Sequence, residues 1–395
     1  INMGVIVSKR VNLLSCYFQK NYGSMLQAYA LQEAVNTLGY EAENLRIDGI
    51  AKEIRNRKLR FYARQLADWS IVKEKAGMIW KFWQKKRNKK FAEKCNIRNK
   101  KFCDFKQQVF NLSPCLTSKM AMGEYVKNCQ AVIVGSDQLW LPSNIAADYY
   151  TMNFVPDEVR KISYATSFGV SKLPEYMCDF AAKFINRIDK VSVREEKGRD
   201  LIKNIIQREV SVVCDPTLLF TKEQWENFIP QQKISTDKYI FCYFLGNNLW
   251  QRKLARKLRE KTGYKIISLL HMDEYVATDE SFPDEAPYDI GPAEFVNLIR
   301  GAEYILTDSF HGTVFSAIHG KEFFTFRRFN DEATLSTNSR IDSLFTLLGV
   351  PERLLTKSTN IEEIQKIKLD AEAIWKRIDY LRKPSWEYLK RAVGD

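Results

Sequence analysis

The chain has 395 residues, 45% of them hydrophobic and 28% charged, which gives room for two or three domains with real cores and excludes a disordered or low-complexity chain. Eight scattered cysteines without a C-x-x-C pair, and only three histidines, leave no zinc spacing and point to reduced thiols in a cytosolic protein. The net charge of +13 is concentrated: residues 52–107 hold 19 Lys/Arg and five Asp/Glu, which is +14, so the remainder sums to −1 and is a near-neutral body with one basic segment.

In chain order, Met3–Val7 is a strand candidate, too short an apolar run for a leader peptide or a membrane span. A loop follows, then a helix over "LQAYALQEAVNTLG" with Gly39 as its stop, then a strand over Glu41–Ile47. The basic segment reads as one or two amphipathic helices, with Leu59, Tyr62, Leu66, Trp69 and Val72 at steps of three and four. "AVIVGSDQLW", "KISYATSFG" and "KVSVREEKGRDLI" are strands running into loops or helices, and "VSVVCDPTLLF" closes this half. The segment "TKEQWENFIPQQKISTD" reads as a linker. A second alternation follows: the strand "KYIFCYFLGNN", the helix Leu249–Thr262, the strand "YKIISLL", the helix "PAEFVNLIRGA", the unit "AEYILTDSFHGTVFSAIHG" and the strand "EFFTFRR". The tail "AIWKRIDYLRKPSWEYLKRAV" reads as two helices with a kink at Pro384. Strands alternating with helices imply parallel sheets, so the expected fold is α/β with two Rossmann-like domains facing a cleft. The expected boundaries are 1–225 with a helical basic insert at about 52–110, 236–370, and a tail 371–395 packing back on the first domain.

Ligands of open α/β sheets bind beyond the carboxyl ends of the strands, so the candidates are sought there. His311 follows the strand Tyr304–Thr307 at the start of a helix that Asp308 or Ser309 can cap. The amides near Gly312 and Thr313 would face an anion, and an imidazole beside it is a general acid/base candidate or a capping residue. Arg194 ends the strand "KVSV" and can grip a carboxylate or phosphate, or pair with Glu195 or Glu196. Gly246 and Asn247 end another strand. Asn21, Tyr22 and Gly23 enter a helix and could line an acceptor pocket, and Asp137 and Gln138 follow "AVIVGS", where Asp137 could bind sugar hydroxyls or cap a turn. None of these segments is a phosphate loop of the ATP or NAD type, and no nucleophile elbow is present.

Taken in order, "NYGSMLQAYALQ", "VGSDQLW", "ISYATSFG", "SVREEKG", "CDPTLLF", "TDSFHGTVFSAIHGKEFFTF" and "NSRIDSLFTLLG" resemble the polysaccharide pyruvyl transferase family, over about residues 3–350 without the basic insert. The resemblance implies a glycosyltransferase-B-like fold and transfer of the pyruvyl group of phosphoenolpyruvate onto two hydroxyls of a sugar, giving a cyclic ketal, with no other cofactor and no metal. It implies His311 as the catalytic histidine and Arg194 as a donor-binding arginine. Many members carry arginine two residues before that histidine; here Ser309 stands there, so Arg340 is the first candidate replacement, with Arg327 and Arg328 behind it. The expected donor set is Arg194, Ser309, Gly312, Thr313, Arg340, Gly246 and Asn247, and the expected acceptor set is Asn21, Tyr22, Gly23, Asp137 and Gln138. The expected partners are phosphoenolpyruvate, a saccharide acceptor, free or lipid-linked, of surface-polysaccharide assembly, and an anionic membrane reached through residues 52–107 at the inner face of the cell membrane. A helical hairpin packed on the body is the other reading of that segment, and no nucleic-acid module accompanies the charge. A glycosyltransferase using a nucleotide sugar, and a non-catalytic saccharide- or anion-binding protein, are the alternative functions.

Overall fold

The structure is a computed structural model and describes residues 9–64, 88–272, 274–328 and 338–394. Its strands form two wholly parallel sheets. The first has the order β2-β1-β3-β4-β5-β6, from β1 (Arg10–Leu14), β2 (Glu41–Asn44), β3 (Ala131–Asp137), β4 (Lys161–Thr166), β5 (Lys190–Val193) and β6 (Ser211–Val212). The second has the order β11-β10-β9-β7-β8, from β7 (Tyr239–Tyr243), β8 (Lys265–Ser268), β9 (Tyr304–Thr307), β10 (Phe323–Phe326) and β11 (Leu354–Leu355). Crossover helices cover both faces of a parallel sheet, which is why β4, β7 and β10 are buried along their whole length. Each sheet reverses its strand order once, between β1 and β3 and between β7 and β9. Those reversals open a crevice beyond the strand ends. This is the architecture of two Rossmann-like domains that the alternation implied, and the glycosyltransferase-B-like fold that the resemblance implied.

Several elements differ from the sequence expectation. The expected strand Met3–Val7 lies outside the described residues, and β1 forms from Arg10–Leu14, within the expected loop. The first helix begins at Tyr22 rather than Leu26, because Asn21 Oδ1 accepts the Ser24 amide at 3.1 Å and starts the turn early. Part of the expected linker is the helix Lys222–Phe228, with a capping box at Thr221 and a buried Trp225. The tail is one helix, Ala371–Gly394, running through Pro384. Pro384 is exposed, so the carbonyl it cannot serve lies on the solvent face.

The basic insert is helical at Ala51–Ala63 and Lys89–Val109. In the second helix Phe91, Cys95, Arg98, Phe102 and Phe105 are buried, at steps of four and three. This stripe packs on the body. Phe102 meets Tyr22 at 4.8 Å and Phe105 meets Tyr29 at 5.9 Å. Arg98, 1% exposed, donates to the carbonyls of Leu270 at 2.6 Å and Pro287 at 2.9 Å, and its guanidinium lies 4.6 Å from the Tyr288 ring. Lys101 pairs with Glu294 at 2.8 Å. A helix inserted in the first sheet's half therefore grips the second half.

The Ala371–Gly394 helix makes the reverse journey. Trp386 Nε1 donates to the Leu219 carbonyl at 2.8 Å, Tyr388 donates to the Ser163 carbonyl at 3.0 Å, and Ser385 Oγ accepts the Cys214 amide at 2.9 Å. Among the described residues no helix is long and apolar enough to cross a membrane.

Away from the crevice, His319 is 5% exposed and its Nε2 accepts from Arg300 Nε at 3.3 Å. Burial, followed by the Arg300 charge, pushes its pKa from 6.5 down to about 3. Above pH 6.5 both folded and unfolded states hold it neutral. As pH falls below 6.5 the unfolded chain takes up a proton that the folded one refuses, so stability is lost toward about pH 3. In urea titrations between pH 6 and 4.5, wild type is expected to lose roughly 1 kcal/mol per pH unit more than His319→Gln. Parallel pH profiles for the two proteins would show the assignment to be wrong.

Candidate active site

The candidates meet at the two strand-order reversals. From the first sheet come the β1 loop with the Tyr22–Thr37 helix, the end of β3, and the segments after β5 and β6. From the second come the loop after β7, the Phe310–Ile318 helix after β9, and the Asn338–Leu348 helix.

Asp215, just after β6, is the hub. Its side chain is wholly buried. Oδ1 accepts the Thr217 amide at 3.0 Å and the Thr217 hydroxyl at 2.7 Å. Oδ2 accepts from Arg194 Nη1 at 2.9 Å and lies 3.4 Å from His311 Nε2. Burial disfavours its ionisation, but His311, Arg194 and the Thr217 bonds outweigh that and hold its pKa well below the carboxylate range.

Arg194 is 8% exposed. Its Nε donates to Glu195 Oε1 at 3.1 Å, Nη2 stands 3.6 Å from Asp137 Oδ1, and the guanidinium lies over the Phe310 ring at 5.0 Å. Burial opposes its charge, but Glu195, Asp215 and Asp137 together raise its pKa. The pairing with Glu195 and an inward-facing guanidinium therefore coexist. Arg194 Nη2 is buried without a hydrogen-bond partner.

Asp137 ends β3 with a left-handed φ of 79°, a conformation that an aspartate tolerates at some cost. Its Oδ2 accepts the Ser24 hydroxyl at 3.0 Å. Arg340 Nη1 lies 3.6 Å from Asp137 Oδ1. Burial raises the Asp137 pKa, yet Arg194 and Arg340 bring it below the ordinary value. Arg340 is the counterpart: burial first, then the Arg194 charge, lower its pKa to about 10. Its Nε is also buried without a partner. The arginine sought to offset Ser309 thus stands beside Arg194.

His311 is 7% exposed, in the first turn after the cap Ser309. Its ring rests on Gly23: a Cβ added there would lie 2.1 Å from Nδ1 and 2.4 Å from Cγ. Only glycine lets the first helix come this close. Ser309 Oγ accepts the Gly312 amide at 3.3 Å. That amide, expected to face a ligand, is thereby taken by the cap. The Thr313 amide bonds to the Ser309 carbonyl and the Thr313 hydroxyl to Thr325 at 2.7 Å, in full burial, so Thr313 faces the core.

Tyr22 is 2% exposed, stacks on Phe295 at 4.7 Å and donates to the Ile290 carbonyl at 2.9 Å. It joins the two halves instead of facing the crevice. Asn21 is the helix cap. Gln138 is half-buried beside Gly169, with Nε2 unpartnered. Gly246 sits at the second reversal, but its amide donates to Asp308 Oδ2 at 2.8 Å and its carbonyl accepts from Arg252 at 3.2 Å. Asn247 beside it is exposed.

A cavity of about 460 Å³ opens on the Arg194, Asp215 and Arg340 side of the cluster, lined also by Glu195 and Phe310 with Leu344 and Leu381 around them; His311 and Asp137 do not line it. A larger hollow of about 830 Å³ lies against the Ala51–Ala63 helix, between Arg57, Arg64 and Phe180. The chemistry of the side chains favours the smaller one. Among the described residues no group of His, Cys, Asp and Glu is arranged to hold a metal.

Asp215 is a site residue that the sequence does not single out. "CDPTLLF" carries its signal, an aspartate at a strand end, but nothing local to it announces a partner on another domain.

A search of curated proteins finds no match. Solved structures that resemble it include a putative UDP-N-acetylglucosamine 2-epimerase from Listeria monocytogenes, 11% identical, covering 98% of this chain and 93% of its own, with a TM-score of 0.48. Another is UGT89C1 of Arabidopsis thaliana, 11% identical, covering 98% of both chains, with a TM-score of 0.45. The family model of polysaccharide pyruvyl transferase matches residues 21–328, a span that includes Gly23, Asp137, Arg194, Asp215 and His311, and the chain belongs to that family.

Proposed function

We propose that the protein transfers the pyruvyl group of phosphoenolpyruvate to two hydroxyls of a saccharide, with His311 as general acid and base. The observation that carries the reading is the meeting of Arg194 and His311, from opposite halves, on one carboxylate of Asp215. The two guanidiniums of Arg194 and Arg340 face three carboxylates, those of Asp137, Glu195 and Asp215. An entering anion therefore meets no simple positive pocket; Arg194 Nη2 and Arg340 Nε, which make no hydrogen bond, are the donors it takes up.

The reaction then balances as follows. The enol double bond takes a proton from His311 at its methylene carbon, which becomes a methyl group. One sugar hydroxyl bonds to the neighbouring carbon, the bond from that carbon to the phosphate oxygen breaks, and the second hydroxyl closes the ketal. Of the two hydroxyl protons, one returns to His311 and one leaves with phosphate. We place the acceptor in surface-polysaccharide assembly at the inner face of the cell membrane. The exposed Lys52, Arg55, Leu59 and Arg60 of the insert's first helix support a peripheral contact with anionic lipid.

The test is a thermal midpoint with phosphoenolpyruvate, UDP or UDP-sugars, on wild type and Arg194→Lys. The lysine keeps the charge and loses the fork. Phosphoenolpyruvate at a hundredfold excess over Kd is expected to stabilise wild type by about 2.7 kcal/mol, and Arg194→Lys by much less. Stabilisation by UDP compounds alone would replace this reading with glycosyl transfer.

A further inference from the structure

We propose that Asp215 is the positioning residue of His311: it keeps a proton on Nε2, so that Nδ1, on the Gly23 side of the ring, is the nitrogen that exchanges protons with substrate. The inference rests on the reading of His311 as the acid and base, and adds which ring atom works and what selects it.

The geometry is restrictive. The Nε2 edge of His311 is buried, and Asp215 Oδ2 stands 3.4 Å from it. No hydrogen bond is closed there, as is common for catalytic pairs before substrate binds. A carboxylate accepts and cannot donate, so the neutral ring settles with its hydrogen on Nε2, and Nδ1 keeps the lone pair. Asp215 cannot turn away easily, because Thr217 holds the other oxygen through both its amide and its hydroxyl. The Gly23 backbone supports the opposite edge of the ring, where any side chain would push Nδ1 aside. The carboxylate oxygen that faces Nε2 also receives Arg194 Nη1 at 2.9 Å. An anion drawing Arg194 toward itself loosens that bond and leaves more of the oxygen's charge to His311.

The test uses the full chain labelled with ¹⁵N-histidine. Three histidines give three ring spin systems, and the buried His319 and the part-buried His271 serve as internal controls. At pH 9, nitrogen–proton correlations are expected to show the Nε2–H tautomer for His311 in wild type. Asp215→Asn is expected to lose it, while His319 and His271 stay as they were. Thr217→Val keeps the Asp215 charge and removes one of its restraints, and is expected to give a mixture of tautomers. Phosphate release from phosphoenolpyruvate in the presence of acceptor should fall by about 10⁴ in Asp215→Asn, the scale known for a wrong histidine tautomer elsewhere, with less change in apparent KM than in kcat. An Nδ1–H ring in wild type, or an Nε2–H ring that persists in Asp215→Asn, overturns the proposal. Failure of phosphoenolpyruvate to stabilise wild type would instead overturn the reading of the function, and the tautomer result would stand apart from it.

Discussion

His311→Gln is expected to bind phosphoenolpyruvate and to release almost no phosphate from it. Glutamine fills much of the imidazole volume above Gly23, so the Phe310–Ile318 helix and its Ser309 cap keep their shape. Asp215 retains Arg194 and Thr217 as partners, so no buried carboxylate is stranded. What is lost is a group that can give and take a proton. General acid/base catalysis contributes typically about 10² to 10⁴ in rate, and a residue serving as acid and then base sits toward the upper end. The measurement is phosphate release with a saccharide acceptor pool, beside the thermal shift by phosphoenolpyruvate. A variant that keeps its rate within tenfold of wild type removes His311 from the chemistry. One that loses both rate and thermal shift makes it a binding residue.

Arg98→Ala is expected to lower stability by roughly 3 kcal/mol. The substitution leaves the carbonyls of Leu270 and Pro287 without this donor in a part-buried seam, at about 1 kcal/mol each, the low end for an unsatisfied group. It also removes the cation over Tyr288, worth about 1–2 kcal/mol where water is excluded. Lys100→Ala, on the exposed side of the same helix, should change stability by less than about 0.5 kcal/mol. Urea denaturation checks the pair. Equal midpoints for the two variants would mean that the Lys89–Val109 helix lies on the second half without holding it.

The contrast between these two residues explains what the sequence could disclose. His311, Arg194 and Asp137 each follow an apolar strand run, and strand ends are where open α/β sheets place ligands. Local pattern therefore located them. Asp215 also ends a strand, but its partners lie on two other elements, and only packing joins them. Arg98 was hidden differently. The stripe Phe91, Cys95, Arg98, Phe102, Phe105 has helical spacing, but an arginine in the middle of it, among many exposed lysines, reads as surface. Its burial depends on carbonyls of a distant segment. Tyr22 misled in the other direction. It lies between Asn21 and Gly23, both close to the functional crevice, yet its ring serves the seam between halves. β1 is hard to read from the sequence because Val11–Leu14 is short and follows a longer apolar run at Met3–Val7.

The returning helix Ala371–Gly394 bears on how far the crevice can change. The chain passes from the first sheet to the second through residues 229–238, and comes back before Trp386 and Tyr388 seat on the first half. The Lys89–Val109 helix and the Tyr22 ring cross the same seam at other places. A body tied to another by a single thread can swing about any axis. One tied at several places has far less freedom, so Arg194 and His311, one from each half, are kept in register on Asp215.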